Sequence, residues 1–168
     1  MSIPVEIERK FVIELPDIST LSEREGYSSS EIDQTYLSSA RTVTRRARAR
    51  RFADRTVYTE TKKVRIDRMS VFEDEREIDR EEYEALLTEI MPGTVTLRKT
   101  RHTFGYLGRT VEIDVYPQWK RSCILEVELG SRDEVLVLPD FIRVVREVTG
   151  DKRYSNASMS KEFPQELI

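Results

Sequence analysis

The chain has 168 residues, of which 35% are charged, but its formal net charge is only -3. This length suits one domain with a substantial core, and the balanced charge excludes a polybasic nucleic-acid binder and an acidic disordered tail. With one histidine and one cysteine, the sequence offers neither an internal disulfide nor a His/Cys metal site. Any metal would be bound by oxygen, which favours Mg²⁺ or Mn²⁺. Long apolar runs and a signal-peptide pattern are missing, so we expect a cytoplasmic protein without membrane contact.

The first expected strand covers residues 4–14, where polar and apolar residues alternate. Successive side chains of a strand point to opposite faces, so Glu6, Glu8 and Lys10 stand side by side on one face. Two carboxylates and an ammonium in a row can bind a hard divalent cation and also touch the anion that the cation neutralises. An amphipathic strand with a solvated outer face would show the same alternation, so the other strands must decide between these interpretations.

A polar, serine-rich stretch at 17–30 predicts a short helix or loop, and further strands are expected at 34–37, 42–52, 56–64 and 70–78. Two registers remain open in this part of the chain. In the arginine-rich strand, the functional face contains either Arg46 and Arg48 or Arg48 and Arg50. In the next strand only one of Lys62 and Lys63 can face the same side, because a slip of one residue reverses every side chain.

The second half of the chain begins with a helix from Asp79, which has an apolar stripe and ends at Pro92-Gly93. A hairpin is predicted over 94–116 around two glycines, and a further strand over 122–130. Apolar residues spaced along 141–148 predict a short helix there. His102 is out of phase with the charged face of its strand and is expected at the surface.

Acidic and basic residues occupy separate rows on these strands. Paired acids mark four strands (Glu6/Glu8, Glu73/Glu75/Glu77, Glu112/Asp114 and Glu126/Glu128), and bases mark three (Arg46/Arg48/Arg50, Lys62 or Lys63, and Lys99/Arg101). A closed antiparallel barrel would turn one face of every strand into its lumen. A lumen lined by such charges must hold water, ions and a polar ligand. A phosphate chain with divalent cations would satisfy both rows.

The ordered motif set resembles the CYTH superfamily, the triphosphate tunnel metalloenzymes. It begins with Glu6-x-Glu8-x-Lys10, which matches the family's ExExK signature. The later elements follow in the family's order over nearly the whole chain: Gln34-x-Tyr36-Leu37, Arg46-x-Arg48, the Thr/Lys strand ending at Lys62-Lys63, Glu73-x-Glu75-x-Glu77, Lys99-x-Arg101, Glu112-x-Asp114, Glu126-x-Glu128-Leu129, and an Asn156-Ala157-Ser158 tail.

The resemblance implies an α+β, mainly antiparallel β fold: a closed eight-stranded, tunnel-like β-barrel with peripheral helices, formed by a single domain over 1–168. It also implies Mg²⁺ or Mn²⁺, two ions per site, bound by Glu6, Glu8, Glu126 and Glu128. Asp114 and Glu75 are expected as secondary ligands or water-positioning groups. The expected phosphate-binding residues are Lys10, Arg46, Arg48, Lys62 or Lys63, Lys99 and Arg101. Tyr36 matches a tyrosine that in some members helps a lysine to protonate the leaving group, which places Tyr36, Lys99 and Glu75 in the expected catalytic set.

The function implied is metal-dependent hydrolysis of a triphosphate, with inorganic triphosphate giving pyrophosphate and phosphate as the first hypothesis. A class IV adenylyl cyclase, or a phosphatase of thiamine or nucleoside triphosphates, is the alternative within the family. A cyclase would need the triphosphate to lie in the opposite direction, which spacing in the sequence does not show. A non-catalytic polyphosphate-binding module is the hypothesis from another class. The expected partner is a small-molecule triphosphate and not a nucleic acid, with the protein as a monomer or homodimer.

Overall fold

The computed structural model describes residues 5–168, so Pro4 of the predicted first strand lies outside the described residues. Strands dominate the described chain, and the helices between them are short. In chain order the elements are β1 (Val5–Glu14), α1 (Ile18–Ser22), β2 (Ser28–Leu37), β3 (Thr44–Arg51), β4 (Thr56–Arg65), β5 (Ser70–Ile78), α2 (Arg80–Leu86), β6 (Leu97–Tyr106), β7 (Arg109–Val115), β8 (Ser122–Leu129), β9 (Val144–Glu147) and α3 (Asn156–Met159).

Eight of the strands form a closed antiparallel barrel in the order β1-β5-β4-β3-β2-β6-β7-β8, with β8 pairing back onto β1. Closure depends on β1, whose start pairs with β5 through Val5, Glu6 and Ile7, and whose remaining length pairs with β8. Strand β9 lies beside β1 outside this ring and pairs with it near Phe11. The predicted closed eight-stranded barrel with peripheral helices is confirmed.

The apolar residues pack mainly outside the barrel, which leaves much of the lumen to polar side chains. One core cluster lies between the sheet and α1 and contains Phe11, Phe104 and Leu125. Another lies beneath α2, where Tyr83 packs on Ala47. A further cluster joins the ends of several strands to the C-terminal segment through Tyr116, Trp119, Val12, Leu97, Ile124, Tyr154 and Met159. The inward rows of charge therefore give way to apolar packing beside the C-terminal segment.

Two predictions about this half of the chain were wrong. The predicted helix at 141–148 is replaced by β9, a strand in which Val144 and Arg146 pair with β1. The edge of β1 beyond its pairing with β5 needs hydrogen-bond partners, and a β-branched segment supplies them, which outweighs the helical spacing of its apolar residues. His102 is only 6% exposed, because Tyr27 stacks on its ring and the Tyr27 hydroxyl lies 2.8 Å from His102 Nδ1.

The predicted helix after Asp79 is α2, and it is brief. The Asp79 carboxylate accepts a hydrogen bond from the Glu82 backbone N–H at 2.8 Å, which caps the first turn. A 3₁₀ turn continues it to Glu89. Within residues 5–168, every helix is too short or too polar to cross a bilayer.

Candidate active site

Strand register decides which charged side chains face the lumen. Arg46 pairs with Thr61, and Lys63 pairs with Glu73, so Lys63 shares the inward face. Lys62 pairs with Arg45 on the outer face and is exposed, so its expected place among the phosphate-binding residues was wrong. Period-two alternation forces this result, since neighbouring lysines in one strand cannot both point inward.

The two arginine registers left open by the sequence describe the same face. Arg46, Arg48 and Arg50 are separated by two residues each and therefore point to the same side of β3. Arg46 and Arg48 are buried, and Arg50 donates from Nε to Ser30 Oγ at 2.8 Å. The lumen thus receives one more arginine than either register assumed.

A buried ion cluster forms where β6 pairs with β7. The Asp114 carboxylate accepts from Lys99 Nζ at 2.7 Å, from Arg101 Nε at 2.7 Å and from Arg101 Nη2 at 2.8 Å. Burial raises the pKa of Asp114, but the charges of Arg101 and Lys99 outweigh burial and hold it well below its usual range. Burial also lowers the pKa of Lys99 to about 7, against the opposing effect of Asp114.

In this cluster, cations occupy Asp114, which was predicted to bind metal together with the glutamates. Both of its oxygens are engaged by cations, and the residue is 2% exposed. The structure therefore groups Asp114 with Lys99 and Arg101, two predicted phosphate-binding residues. For Asp114 to bind a metal, its hydrogen bonds to Lys99 and Arg101 would have to break.

Gln34 connects two predicted site residues and was assigned no role from the sequence. Its Oε1 accepts from Arg48 Nε and Nη2 at 3.1 and 2.7 Å, and its Nε2 donates to the Tyr36 hydroxyl at 2.6 Å. Burial, together with the charges of Arg46 and Arg101, lowers the pKa of Arg48 to about 9. The available signal was that Gln34 lies two residues before Tyr36, on the same face of the strand.

The acidic side chains of the lumen meet in two pairs, which also contact basic residues: Glu73 lies 3.3 Å from Arg46 Nη2 and 3.6 Å from Lys63 Nζ. Burial raises the pKa of Glu6 to about 8, and its hydrogen bond to Glu73 adds to this effect. The charge of Glu126 and then burial raise the pKa of Glu8 to about 7. Glu126 itself stays below its usual pKa because Lys10 and other cations offset its burial. Carboxylates crowded in this way repel one another unless protons or cations intervene.

The remaining predicted site residues lie around these pairs. Lys10 Nζ is 3.7 Å from Glu126 Oε1 and donates to the Tyr154 backbone carbonyl at 3.2 Å. Glu128 pairs with Glu8 across the β1–β8 ladder and is exposed. Glu75 accepts from Thr61 Oγ1 at 2.8 Å and is partly open to solvent.

The carboxylates of the lumen are chemically suited to a hard divalent cation, although they do not converge on one point. Among residues 5–168, no three His, Cys, Asp or Glu side chains converge closely enough to hold a metal ion. The acids occur as the pairs Glu6/Glu73 and Glu8/Glu126, whose repulsion a cation would relieve. Carboxylate oxygens are also the ligands that Mg²⁺ and Mn²⁺ prefer.

A cavity of about 480 Å³ opens between the barrel and the C-terminal segment. The barrel contributes acids, bases and one phenol to its wall: Glu8, Lys10, Tyr36, Arg46, Lys63 and Arg65. Arg46 Nε is buried without a hydrogen-bond partner in the described chain, so a donor is available for an anion. The opposite wall comes from the segment after β9, including Lys152 and Asn156, to which the sequence analysis gave no site role.

Comparison with known proteins identifies the relatives of this barrel. No protein-family model matches the chain. A curated inorganic triphosphatase of Acetivibrio thermocellus is 30% identical over 161 residues, which cover 93% of each chain. The chain belongs to the CYTH superfamily of triphosphate tunnel metalloenzymes. The predicted family is therefore confirmed.

Solved structures agree with this CYTH assignment. The inorganic triphosphatase NE1496 is 27% identical with a TM-score of 0.59, over 95% of this chain and 97% of the other. A Hippeastrum protein, described as a putative adenylyl cyclase with a dominant triphosphatase activity, is 17% identical with a TM-score of 0.53, over 74% and 80%. At 17% identity, the similarity to the Hippeastrum protein shows only a shared fold.

Proposed function

We propose that this CYTH protein hydrolyses inorganic triphosphate to pyrophosphate and phosphate with the help of Mg²⁺ or Mn²⁺. The observation behind the proposal is that acidic and basic residues line the same cavity. Glu8, Arg46 and Lys63 all line it. A chain of phosphates bridged by divalent cations is the small ligand that matches both kinds of charge. The Acetivibrio thermocellus relative supports the choice of substrate.

The phosphate-binding residues fall into an outer and an inner group. Lys10, Arg46 and Lys63 line the cavity and are placed to contact a phosphate chain directly. Arg48, Lys99 and Arg101 lie deeper, where Gln34 and Asp114 already orient them. Such preorganised cations would offset charge that develops on the leaving pyrophosphate.

Glu6, Glu8, Glu126 and Glu128 would hold the divalent cations, two per site, with Glu75 and Asp114 as additional candidates. Bound there, such a cation supplies charge neutralisation and Lewis acidity toward the phosphoryl oxygens. Glu73 joins the acids to the bases of the lumen, because it accepts from Arg46 Nη2 at 3.3 Å and lies 3.6 Å from Lys63 Nζ. Glu75, which accepts a hydrogen bond from Thr61, would orient a water molecule.

Tyr36 is the residue best placed to protonate the leaving group. It lines the cavity, and its hydroxyl accepts from Gln34, so its own proton is free to be donated. Lys99 is bound to Asp114 in the buried cluster, so its contribution would be electrostatic. We therefore propose Tyr36 as the proton donor and Lys99 as a source of positive charge.

The cavity offers little to a nucleobase. Its only aromatic lining residue in the described chain is Tyr36, and the rest of the lining is mainly polar or charged. Bases in binding sites usually stack on aromatic rings. This favours inorganic triphosphate over ATP as substrate, whether ATP is hydrolysed or cyclised.

The test is phosphate release from inorganic triphosphate, ATP and thiamine triphosphate with Mg²⁺ or Mn²⁺. Glu8→Gln should abolish release, and Glu81→Gln, which removes an exposed carboxylate on α2, should not. Cyclic AMP and pyrophosphate from ATP would identify a cyclase instead. Binding of triphosphate without turnover of any substrate would identify a receptor and overturn the proposal.

A further inference from the structure

Asn156 is the first residue of α3 and lines the cavity from the side of the C-terminal segment. Its neighbour Ser155 caps the helix, because Ser155 Oγ accepts from the Ser158 backbone N–H at 3.1 Å. The Asn156 carbonyl accepts from the Ser160 N–H at 2.9 Å. The backbone of Asn156 is therefore held in the helix, and its side chain is the part that can serve another purpose.

Tyr116 fixes that side chain. Its hydroxyl donates to Asn156 Oδ1 at 2.5 Å, and its ring is 1% exposed, packed between Trp119 and Phe163. Burial raises the pKa of Tyr116 well above its usual value, so the phenol stays protonated and can donate. A rigid, buried donor thus accounts for the orientation of the amide.

The same hydrogen bond determines which end of the amide faces the cavity. Because Oδ1 is taken by Tyr116, Nδ2 and its two hydrogens are directed away from it, without a hydrogen-bond acceptor among residues 5–168. Lys10 lines the same cavity from the barrel, and its Nζ donates to the Tyr154 carbonyl, two residues before Asn156. The cavity therefore offers an uncharged donor as well as a cation where the barrel meets the C-terminal segment.

We propose that the Asn156 amide is a further substrate-binding group, which donates from Nδ2 to a phosphoryl oxygen of the triphosphate. The proposal rests on the proposed function and adds to it a contact from outside the barrel strands. The terminal segment then recognises the substrate directly, in addition to packing on β1. Tyr116 acts through Asn156 and is a positioning residue.

Asn156→Asp is the most discriminating substitution. Aspartate has the same shape, can cap or begin a helix, and still offers an oxygen to the Tyr116 hydroxyl. Only the group that faces the cavity changes, from a donor to a negatively charged acceptor. Gln165→Glu is the matched control, since it makes the same chemical change at an exposed position of the same terminal segment, outside the cavity wall.

The experiment measures steady-state hydrolysis of inorganic triphosphate, together with the thermal shift that triphosphate produces with and without Mg²⁺. We expect Asn156→Asp to raise KM by about 10- to 100-fold, the range for a lost hydrogen bond to a charged group, with kcat changed much less. Its triphosphate-dependent thermal shift should shrink in parallel. Tyr116→Phe should raise KM by a smaller factor, and Gln165→Glu should match the wild type in both measurements.

Other results would overturn the inference. A KM and thermal shift equal to those of the wild type in Asn156→Asp would show that the amide does not touch substrate. If Asn156→Asp lowered both the melting temperature without ligand and kcat, the role of Asn156 would be purely structural. Failure of the wild type to bind or hydrolyse triphosphate would instead refute the proposed function, and this inference with it.

Discussion

Asp114 binds Arg101 through two parallel hydrogen bonds, Nε to Oδ1 at 2.7 Å and Nη2 to Oδ2 at 2.8 Å. Lys99 shares the same carboxylate. Arg101 Nη1 also lies 2.5 Å from Glu112 Oε2, so two carboxylates balance the two cations of this cluster. The cluster therefore fixes the positions of Lys99 and Arg101.

Asp114→Asn should destabilise the fold strongly, because it leaves Lys99 and Arg101 buried without the carboxylate that they share. Removing one partner of a buried ion pair costs about 3–5 kcal/mol. Urea unfolding of the metal-free protein measures this loss. Glu81→Gln, an exposed change, serves as the control. Unchanged stability of Asp114→Asn, combined with a loss of metal binding, would instead favour Asp114 as a metal ligand.

Lys63 and Lys62 provide a matched pair, since they are adjacent and chemically identical but point to opposite faces. Lys63→Ala should raise KM for triphosphate about tenfold or more, through loss of a charged contact. Lys62→Ala should leave KM unchanged. Steady-state kinetics on both variants tests this, and a reversal of the two effects would refute the register.

Gln34→Leu should lower kcat for triphosphate hydrolysis about tenfold, because Arg48 and the Tyr36 hydroxyl both lose a buried partner worth about 1–3 kcal/mol. Hydrolysis rates at saturating triphosphate measure this change in kcat. Gln118→Leu removes an exposed amide and is the control. A Gln34→Leu enzyme as fast as the wild type would show that this contact does not position the catalytic groups.

Glu60 should make stability depend on pH. It is buried between Arg45 Nη2 and Arg76 Nε, each 3.0 Å from a carboxylate oxygen. Burial raises the pKa of Glu60, but the two arginines outweigh burial and hold it below 4.5. The folded state thus binds its proton less readily than the unfolded state. The stabilisation is full above the unfolded pKa near 4.5 and disappears as pH falls through the lower folded value.

Denaturant unfolding of wild type and Glu60→Gln at several pH values tests this linkage. The wild type should be more stable near neutral pH by about 1–3 kcal/mol, and the difference should narrow below pH ~4.5. A difference that stays constant down to strongly acidic pH would contradict the assignment.

Gly150→Ala should destabilise the protein more than Gly93→Ala. Both glycines have positive φ, +73° and +80°, so both substitutions strain the backbone by about 1 kcal/mol. A methyl group at Gly150 would also collide with the Arg68 side chain, which donates to the Thr149 carbonyl, whereas Gly93 has open space. Melting temperatures of the two variants compare them directly, and equal losses would mean that Arg68 moves away without cost.

Alternation of residues was enough to predict the charged faces of the strands, since Glu6, Glu8, Arg46 and Arg48 need only a period of two to share faces. The closed eight-stranded barrel followed from the family resemblance. Alternation was not enough to choose between Lys62 and Lys63, because that choice depends on which strand residues pair. The contacts of Asp114 could not be predicted from the sequence either. They join strands β6 and β7, and charge type alone does not tell whether a carboxylate meets a cation or a metal. Strand β9 was missed because only the three-dimensional edge of β1 explains it.

Closure of the barrel through β1 has a consequence for how the protein is made. The partners of β1 are Val71 and Phe72 of β5, the whole of β8 around Glu128, and β9 near Glu147. During synthesis, Glu6, Glu8 and Lys10 therefore leave the ribosome before the strands that pair with them. Contacts between such distant segments form slowly. The phosphate-binding tunnel should appear only after β8 has been made, so truncation before β8 should yield a chain that binds no triphosphate.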